Sequence, residues 1–497
     1  MVAHSYLHSH TRTVHHHRAD LVRIATHAMT ERGLEPDFSE RVLAQVASLS
    51  GPAREDDAAI RDLTHLLWCS IDNDDSLDLD QVTACEQLAH KTVRLWVAIA
   101  DVDALVKKGS PVDAHAQTNT SSVYTSARIF PMLPERLSTN LTSLNAGEDR
   151  LALVTEMVFN ADGSLAGATA YRARVHNHAK LAYDAVSAWL DGQGAQPAAI
   201  AAVPGMEAQV RTQDALAQQL RQRRHQEGSL ELETFQPRAV FEGEQVVGIT
   251  EQEHNRARQL IEEVMIATNG CTARYLASRG GASLRRVVRS PERWLRIVAV
   301  AKEYGDTLPP EPDSKALEAF LATRHRADPL RFPDLSLVIV KLMGRGEYVV
   351  ESPGGPPIGH FGLAVRDYTH STAPNRRFPD LITLRLLKAA LADQSPPYSN
   401  AELGELAEHC TRQEDAAQKV ERQLRKSEAA LVLETHIGQH FDALVTGSAA
   451  DGVWVRLFNP PAEGKLVGGD GLRVGDKVRV KLVSTNVERG FIDFVLG

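Results

Sequence analysis

Ile71-Asp72-Asn73-Asp74-Asp75-Ser76-Leu77-Asp78-Leu79-Asp80-Gln81 places five aspartates within nine residues, directly after an apolar run that reads as a strand. Such crowding is costly. Carboxylates ~5 Å apart repel by roughly 1–3 kcal/mol per pair at an effective dielectric of about 20–80, so a folded site holding several is most readily explained by a bound cation. Hard oxygen donors suit Mg²⁺, Mn²⁺ or Ca²⁺. A calcium loop counted from Asp72 would need glycine at its sixth position and glutamate at its twelfth, where this chain has Leu77 and Thr83, so that reading fails. A solvated acidic turn is the other alternative, against which Ile71, Leu77 and Leu79 interleave the charges with groups that favour burial. Mg²⁺ held by a few carboxylates keeps waters and takes further ligands from phosphate oxygens, which points to phosphoryl chemistry.

Far downstream stands a second constellation, His360-Phe361-Gly362-Leu363 followed by Tyr368-Thr369-His370-Ser371-Thr372-Ala373-Pro374-Asn375-Arg376-Arg377-Phe378-Pro379-Asp380-Leu381-Ile382. Leu381, Ile382, Leu384, Leu386 and Leu387 predict a helix that begins between Pro374 and Pro379. Arg376 and Arg377 at its start oppose the positive end of the helix dipole, an arrangement that an anion would relieve. Pairing with surface acids is the alternative.

The surrounding chain is that of an ordinary globular protein: 497 residues, 43% apolar and 24% charged, enough for roughly three domains. The net charge of −9 argues against nonspecific coating of nucleic acid. Charge is nonetheless uneven, with nine arginines against three glutamates between Asn255 and Arg296, which is either a local basic site or a solvated helix face. Cys69, Cys85, Cys271 and Cys410 form no CxxC pair, which favours a reducing cytoplasm over a disulfide framework or a zinc site. No apolar stretch approaches the ~20 residues of a membrane span, and the His-rich start does not read as a signal peptide.

Residues 1–57 read as a small helical domain. Leu21, Ile24, Ala25, Ala28 and Met29 keep helical spacing up to Gly33, and Asp37 to Glu40 offer a capping arrangement for a second helix carrying Val42, Leu43, Val46 and Leu49. Six histidines, His4, His8, His10, His15, His16 and His17, could bind a metal adventitiously. Residues 58–434 read as one large α+β domain ending in an amphipathic stretch, Asn400 to Leu433. Residues 435–497 alternate at Val453, Val455 and Leu457 and again at Val474, Val478, Val480 and Leu482, a small β-barrel pattern. Lys477, Arg479 and Lys481, with Trp454 and Phe458, suit a surface for single strands, or are plain solvent-facing residues.

The acidic loop and the arginine-bearing segment together resemble the ribonuclease II and ribonuclease R family, whose RNB domain carries both. The likeness extends through Trp96-Val97-Ala98-Ile99-Ala100-Asp101, Pro131-Met132-Leu133-Pro134, Ala179-Lys180-Leu181-Ala182-Tyr183 and Leu260 to Ala267, covering roughly residues 60–434. The terminal barrel is similar to the OB-fold RNA-binding module of that family. The resemblance implies a processive 3′→5′ exoribonuclease that hydrolyses single-stranded RNA to nucleoside 5′-monophosphates with Mg²⁺, Mn²⁺ being possible. By the same likeness Asp72, Asp78 and Asp80 are metal ligands, with Asp80 most closely tied to catalysis, and Arg376 contacts the scissile phosphate, with Arg377 beside it in the RNA-binding set. Tyr124 matches an aromatic that holds the 3′ end, and Tyr183 and Glu262 match residues that favour ribose.

Three departures stand out. Gln81 replaces a fourth aspartate, Leu232 stands where the family has a stacking phenylalanine, and the helical domain, which resembles a helix-turn-helix, stands in place of two cold-shock barrels. The first two leave open a catalytically impaired RNA-binding or regulatory protein on the same scaffold. The third leaves open a DNA-binding regulator acting through its N-terminal helices.

Overall fold

The computed structural model describes residues 17–233, 237–251 and 254–497. Of the six histidines, His4, His8, His10, His15 and His16 lie outside the described residues, and His17 precedes the first helix, its backbone N–H bonded to the Asp20 carboxylate at 2.8 Å.

Seven strands form the central sheet in the order Arg61–Asp62, Leu165–His176, Asp149–Phe159, Val93–Ala100, Gln81–Gln87, Cys69–Asp72 and Ala179–Ala182. The first and second run parallel, as do the sixth and seventh, and the remaining neighbours are antiparallel. Val93–Ala100 is apolar almost throughout because both its faces are covered. The helix Met206–Gln226 lies against Gln81–Gln87, where Gln213 accepts from the Thr83 hydroxyl at 2.8 Å and Gln209 from the Cys85 N–H at 3.1 Å.

One feature of this sheet opens the site. Cys69 pairs with Thr83, but beyond that rung the two strands part, and Cys69–Asp72 continues instead alongside Ala179–Ala182. The acidic residues therefore sit where the sheet splits. Because Asp72 is opposite Ala182, the next residue, Tyr183, starts its helix (Tyr183–Leu190) beside that carboxylate.

The arginine-bearing segment leads into the helix Phe378–Leu391, with Pro379 in its first turn, where a missing N–H costs nothing. The long helix Asn400–Leu433 has the bounds its pattern predicts, because Ser399 and Glu402 form a reciprocal capping box. Glycine is required at position 33, where φ is +74° after the helix Arg18–Glu31.

The second N-terminal helix, Glu40–Ala47, is capped differently from the expectation. Ser39 accepts the Val42 N–H, while Asp37 pairs with Arg128 at 2.9 Å. The two helices do not share a core. Leu21, Ile24, Ala28 and Met29 join a cluster with Val420, Leu424 and the barrel, whereas Val42 and Val46 join the main core of the sheet. The smaller cluster built on Trp294, Phe320 and Phe332 also receives Leu232.

The C-terminal strands His440–Ala449, Gly452–Leu457, Glu463–Val467, Phe491–Leu496 and Lys477–Asn486 close into an OB-like barrel in that order. Val453, Val455, Leu457, Val480 and Leu482 point inward as their alternation predicts. Val474 does not: it is exposed in the turn before its strand. Lys477, Arg479 and Lys481 face solvent, Arg479 pairing with Asp442 at 2.9 Å.

Candidate active site

Asp80 lies at the end of the acidic loop, where its carbonyl accepts the Ala100 N–H at 3.0 Å and extends the sheet by one rung. Ser143 fixes the loop before it, donating to the Leu77 carbonyl at 2.6 Å and accepting the Leu79 N–H at 2.9 Å. The Asp80 side chain is almost wholly buried. Burial pushes its carboxyl up to about 7, against the opposing pull of Arg376 and with a further push from Asp78. Asp78 is likewise raised, by burial first and by Asp72 among its neighbours.

Two segments distant in sequence meet this loop. The Asn375 N–H donates to Asp80 Oδ1 at 2.9 Å, and Arg376 Nε lies 3.5 Å from Asp80 Oδ2. Asn375 is itself clamped by Thr142, whose hydroxyl donates to Asn375 Oδ1 at 2.7 Å and whose carbonyl accepts from Nδ2 at 2.9 Å. The Arg376 carbonyl accepts the Ser122 N–H at 3.0 Å, and the Phe378 N–H donates to the Thr120 carbonyl at 2.7 Å. Thr120 is held at φ +63°, an uncommon conformation for a β-branched residue and a sign of local constraint. These bonds bring Tyr124 to the site, its hydroxyl 3.3 Å from Asp78 Oδ2. Burial raises the Tyr124 phenol.

The remaining predicted residues divide. Tyr183 is half-buried beside Asp72, with the Arg258 guanidinium 4.4 Å over its ring. Glu262 is exposed on the helix Arg256–Ser278 and makes no hydrogen bond to another described residue. Arg376 is 44% exposed, whereas Arg377 turns inward to Asp380 at 2.9 Å. Asp380 Oδ2 also accepts the N–H groups of Thr372 and Ala373, so this pair shapes the turn that presents Arg376. Gln81 is nearly buried, and no described residue hydrogen-bonds its amide.

The donor set fits a hard divalent ion. Three carboxylates supply oxygen only, without sulfur or imidazole, and the partly exposed Arg376 guanidinium lies beside Asp80. Their oxygens are not gathered as closely as the ligand atoms of His225, Glu231 and Glu318, a ring nitrogen and two carboxylate oxygens that lie within 4.8 Å of one another among the described residues. That second group is satisfied internally: His225 Nδ1 meets the Ser229 carbonyl at 2.7 Å, and Glu318 accepts the Glu231 N–H at 2.7 Å.

Arg376 and Arg377 are legible in the sequence as paired charges at a helix start; the residues that hold them in place are not. Asn375 and Asp380 lay within the quoted segment with nothing to mark them as a clamp and a brace. The arginine-rich stretch is largely internal pairing: Arg256, Arg279, Arg285, Arg286 and Arg289 all have acidic partners.

Residues 60–393 match the RNB domain, and residues 439–497 match the RNase II-type exonuclease C-terminal S1 domain. The chain belongs to the RNB family. Within it, the chain is similar to Ribonuclease R of Thermotoga maritima, 30% identical over 95% of this chain and 69% of that protein. It is also similar to Ribonuclease R of Escherichia coli K12, 31% identical over 92% of this chain but only 60% of the relative's length. The structure of Mycoplasma genitalium RNase R in complex with ribose methylated single-stranded RNA superposes with a TM-score of 0.86 at 22% identity, covering 96% of this chain and 78% of that one, a likeness of fold. No helix among the described residues is long and apolar enough to cross a membrane.

Proposed function

We propose that this protein is a metal-dependent 3′→5′ exoribonuclease that hydrolyses single-stranded RNA processively to nucleoside 5′-monophosphates. The observation that carries the reading is the meeting of a buried Asp80 with Asp78 and a partly exposed Arg376, brought from opposite ends of the domain. Asp72, Asp78 and Asp80 would hold Mg²⁺, or Mn²⁺, which supplies an activated water and offsets charge on the departing 3′ oxygen. Arg376 binds the scissile phosphate and stabilises the charge that develops there, its aim fixed by Asn375 and by the Arg377–Asp380 brace. Arg377 thus serves RNA binding through the turn. Tyr124 closes the 3′ end of the site, and Tyr183 and Glu262 face the ribose, where the 2′-hydroxyl distinguishes RNA from DNA.

In this reading residues 58–434 are the catalytic unit and residues 435–497 the RNA-binding barrel. The four free, buried cysteines support a reducing, cytoplasmic setting. Gln81, a neutral group beside Asp80, favours a second reading: RNA binding without turnover. Single-stranded RNA labelled at either end, incubated with Mg²⁺, decides between them. Mononucleotides released progressively from the 3′ end support the first; tight binding with intact RNA in both Mg²⁺ and Mn²⁺ supports the second.

A further inference from the structure

Arg258 lies in the first turn of the helix Arg256–Ser278, capped by Asn255. A cation there opposes the helix dipole and needs an anion to offset it. Arg256, two residues earlier, has one: it binds both oxygens of Asp214, at 2.9 and 2.6 Å. Arg258 does not. Its guanidinium lies 4.4 Å over the Tyr183 ring, and its Nη2 donates to the neutral Asn73 side-chain oxygen at 2.7 Å. Its Nε is buried without a partner, and no carboxylate among the described residues forms an ion pair with it. The buried Nε is out of an anion's reach; the donor capacity left to one lies on Nη1, which has no hydrogen-bond partner among the described residues.

Its position says what it would meet. Asn73 follows Asp72 directly, so Arg258 stands at the rim of the acidic loop, and Tyr183 lies within the field of Asp72, Arg258 and Arg376 together. The stack on Tyr183 and the Asn73 bond hold the guanidinium plane still, so little rotamer freedom remains to be lost when an anion arrives.

We infer that Arg258 binds a backbone phosphate of the RNA strand on its way to Arg376 and Asp80, a second guanidinium contact beyond the one at the scissile phosphate. This rests on the RNA-cleaving reading of the same site. Arg258 would thereby set affinity for the strand rather than the rate of bond cleavage.

The test is fluorescence anisotropy of a labelled single-stranded oligoribonucleotide, in EDTA so that it stays intact, over a salt series with the full-length parent, Arg258→Ala and Arg258→Lys. Loss of one phosphate contact should weaken binding by Arg258→Ala about tenfold at low salt. It should also make the slope of log affinity against log salt shallower by about 0.7. Arg258→Lys, which keeps the charge but not the planar stack, should retain the parental slope. Unchanged affinity and slope in Arg258→Ala would overturn the inference. So would weaker binding at the parental slope, which would make Arg258 a prop for Tyr183. A parent that does not bind RNA would overturn the functional reading and this inference with it.

Discussion

Asp80 carries a charge that its surroundings do little to accommodate. It is almost fully buried, a second carboxylate bears on it, and it receives one backbone N–H and a guanidinium at 3.5 Å. A group in that position keeps its proton to about pH 7 unless a cation takes its place. Function explains the arrangement better than stability does. Asp80→Asn retains the shape and the Asn375 contact but removes the charge, so kcat for RNA hydrolysis should fall by at least about 10²-fold, with RNA affinity in EDTA little changed. A parallel loss of binding and turnover would show that Asp80 docks the substrate instead.

Elements meet around Tyr124 in a way that links the site to the long helix. The short hairpin pairing Val123–Tyr124 with Ile129–Phe130 is tied to Asn400–Leu433 by Glu421, which accepts the Tyr124 N–H at 2.9 Å, and by Glu428, which accepts from the Ser126 N–H and hydroxyl at 3.2 and 3.1 Å. Burial raises the Glu428 carboxyl to about 7, so the folded protein holds a proton that the unfolded chain releases near its ordinary value of 4.5. The sign follows from linkage. The stabilisation is complete below pH 4.5, declines as pH rises toward 7 and is lost above it, a change of about 3 kcal/mol at most. Glu428→Gln, fixed in the neutral form, should lose less Tm than the parent between pH 5 and 8. Parallel Tm profiles would mean that Glu428 is already ionised in the fold.

At the scale of the whole molecule, the N-terminal helix, the long helix and the barrel share one apolar cluster, in which Met29 is fully buried. Met29→Ala should cost about 2–5 kcal/mol and lower the Tm of a single transition shared by these parts. A separate early transition that leaves the rest unmoved would show the first helix to be an independent unit. Periodicity in Leu21 to Met29 told that a helix has an apolar face, not what that face meets, which is why two helices that look like one domain belong to different cores. The acidic loop and Arg376 were legible because their chemistry demands particular residue types. Arg258 was not: among nine arginines in one stretch, only coordinates show which have partners. Register had the same effect on the sheet, since the parting of the strands after Cys69–Thr83, which opens the site, leaves no mark in the alternation of side chains.

In the proposed mechanism Asp78 and Asp80 share a divalent ion opposite Arg376. Anomalous diffraction from crystals grown with Mn²⁺ tests it most directly. A peak is expected within bonding distance of oxygens from both aspartates, absent in Asp80→Asn crystals. A parent crystal with no peak there, under conditions in which the enzyme in solution degrades RNA, would contradict it.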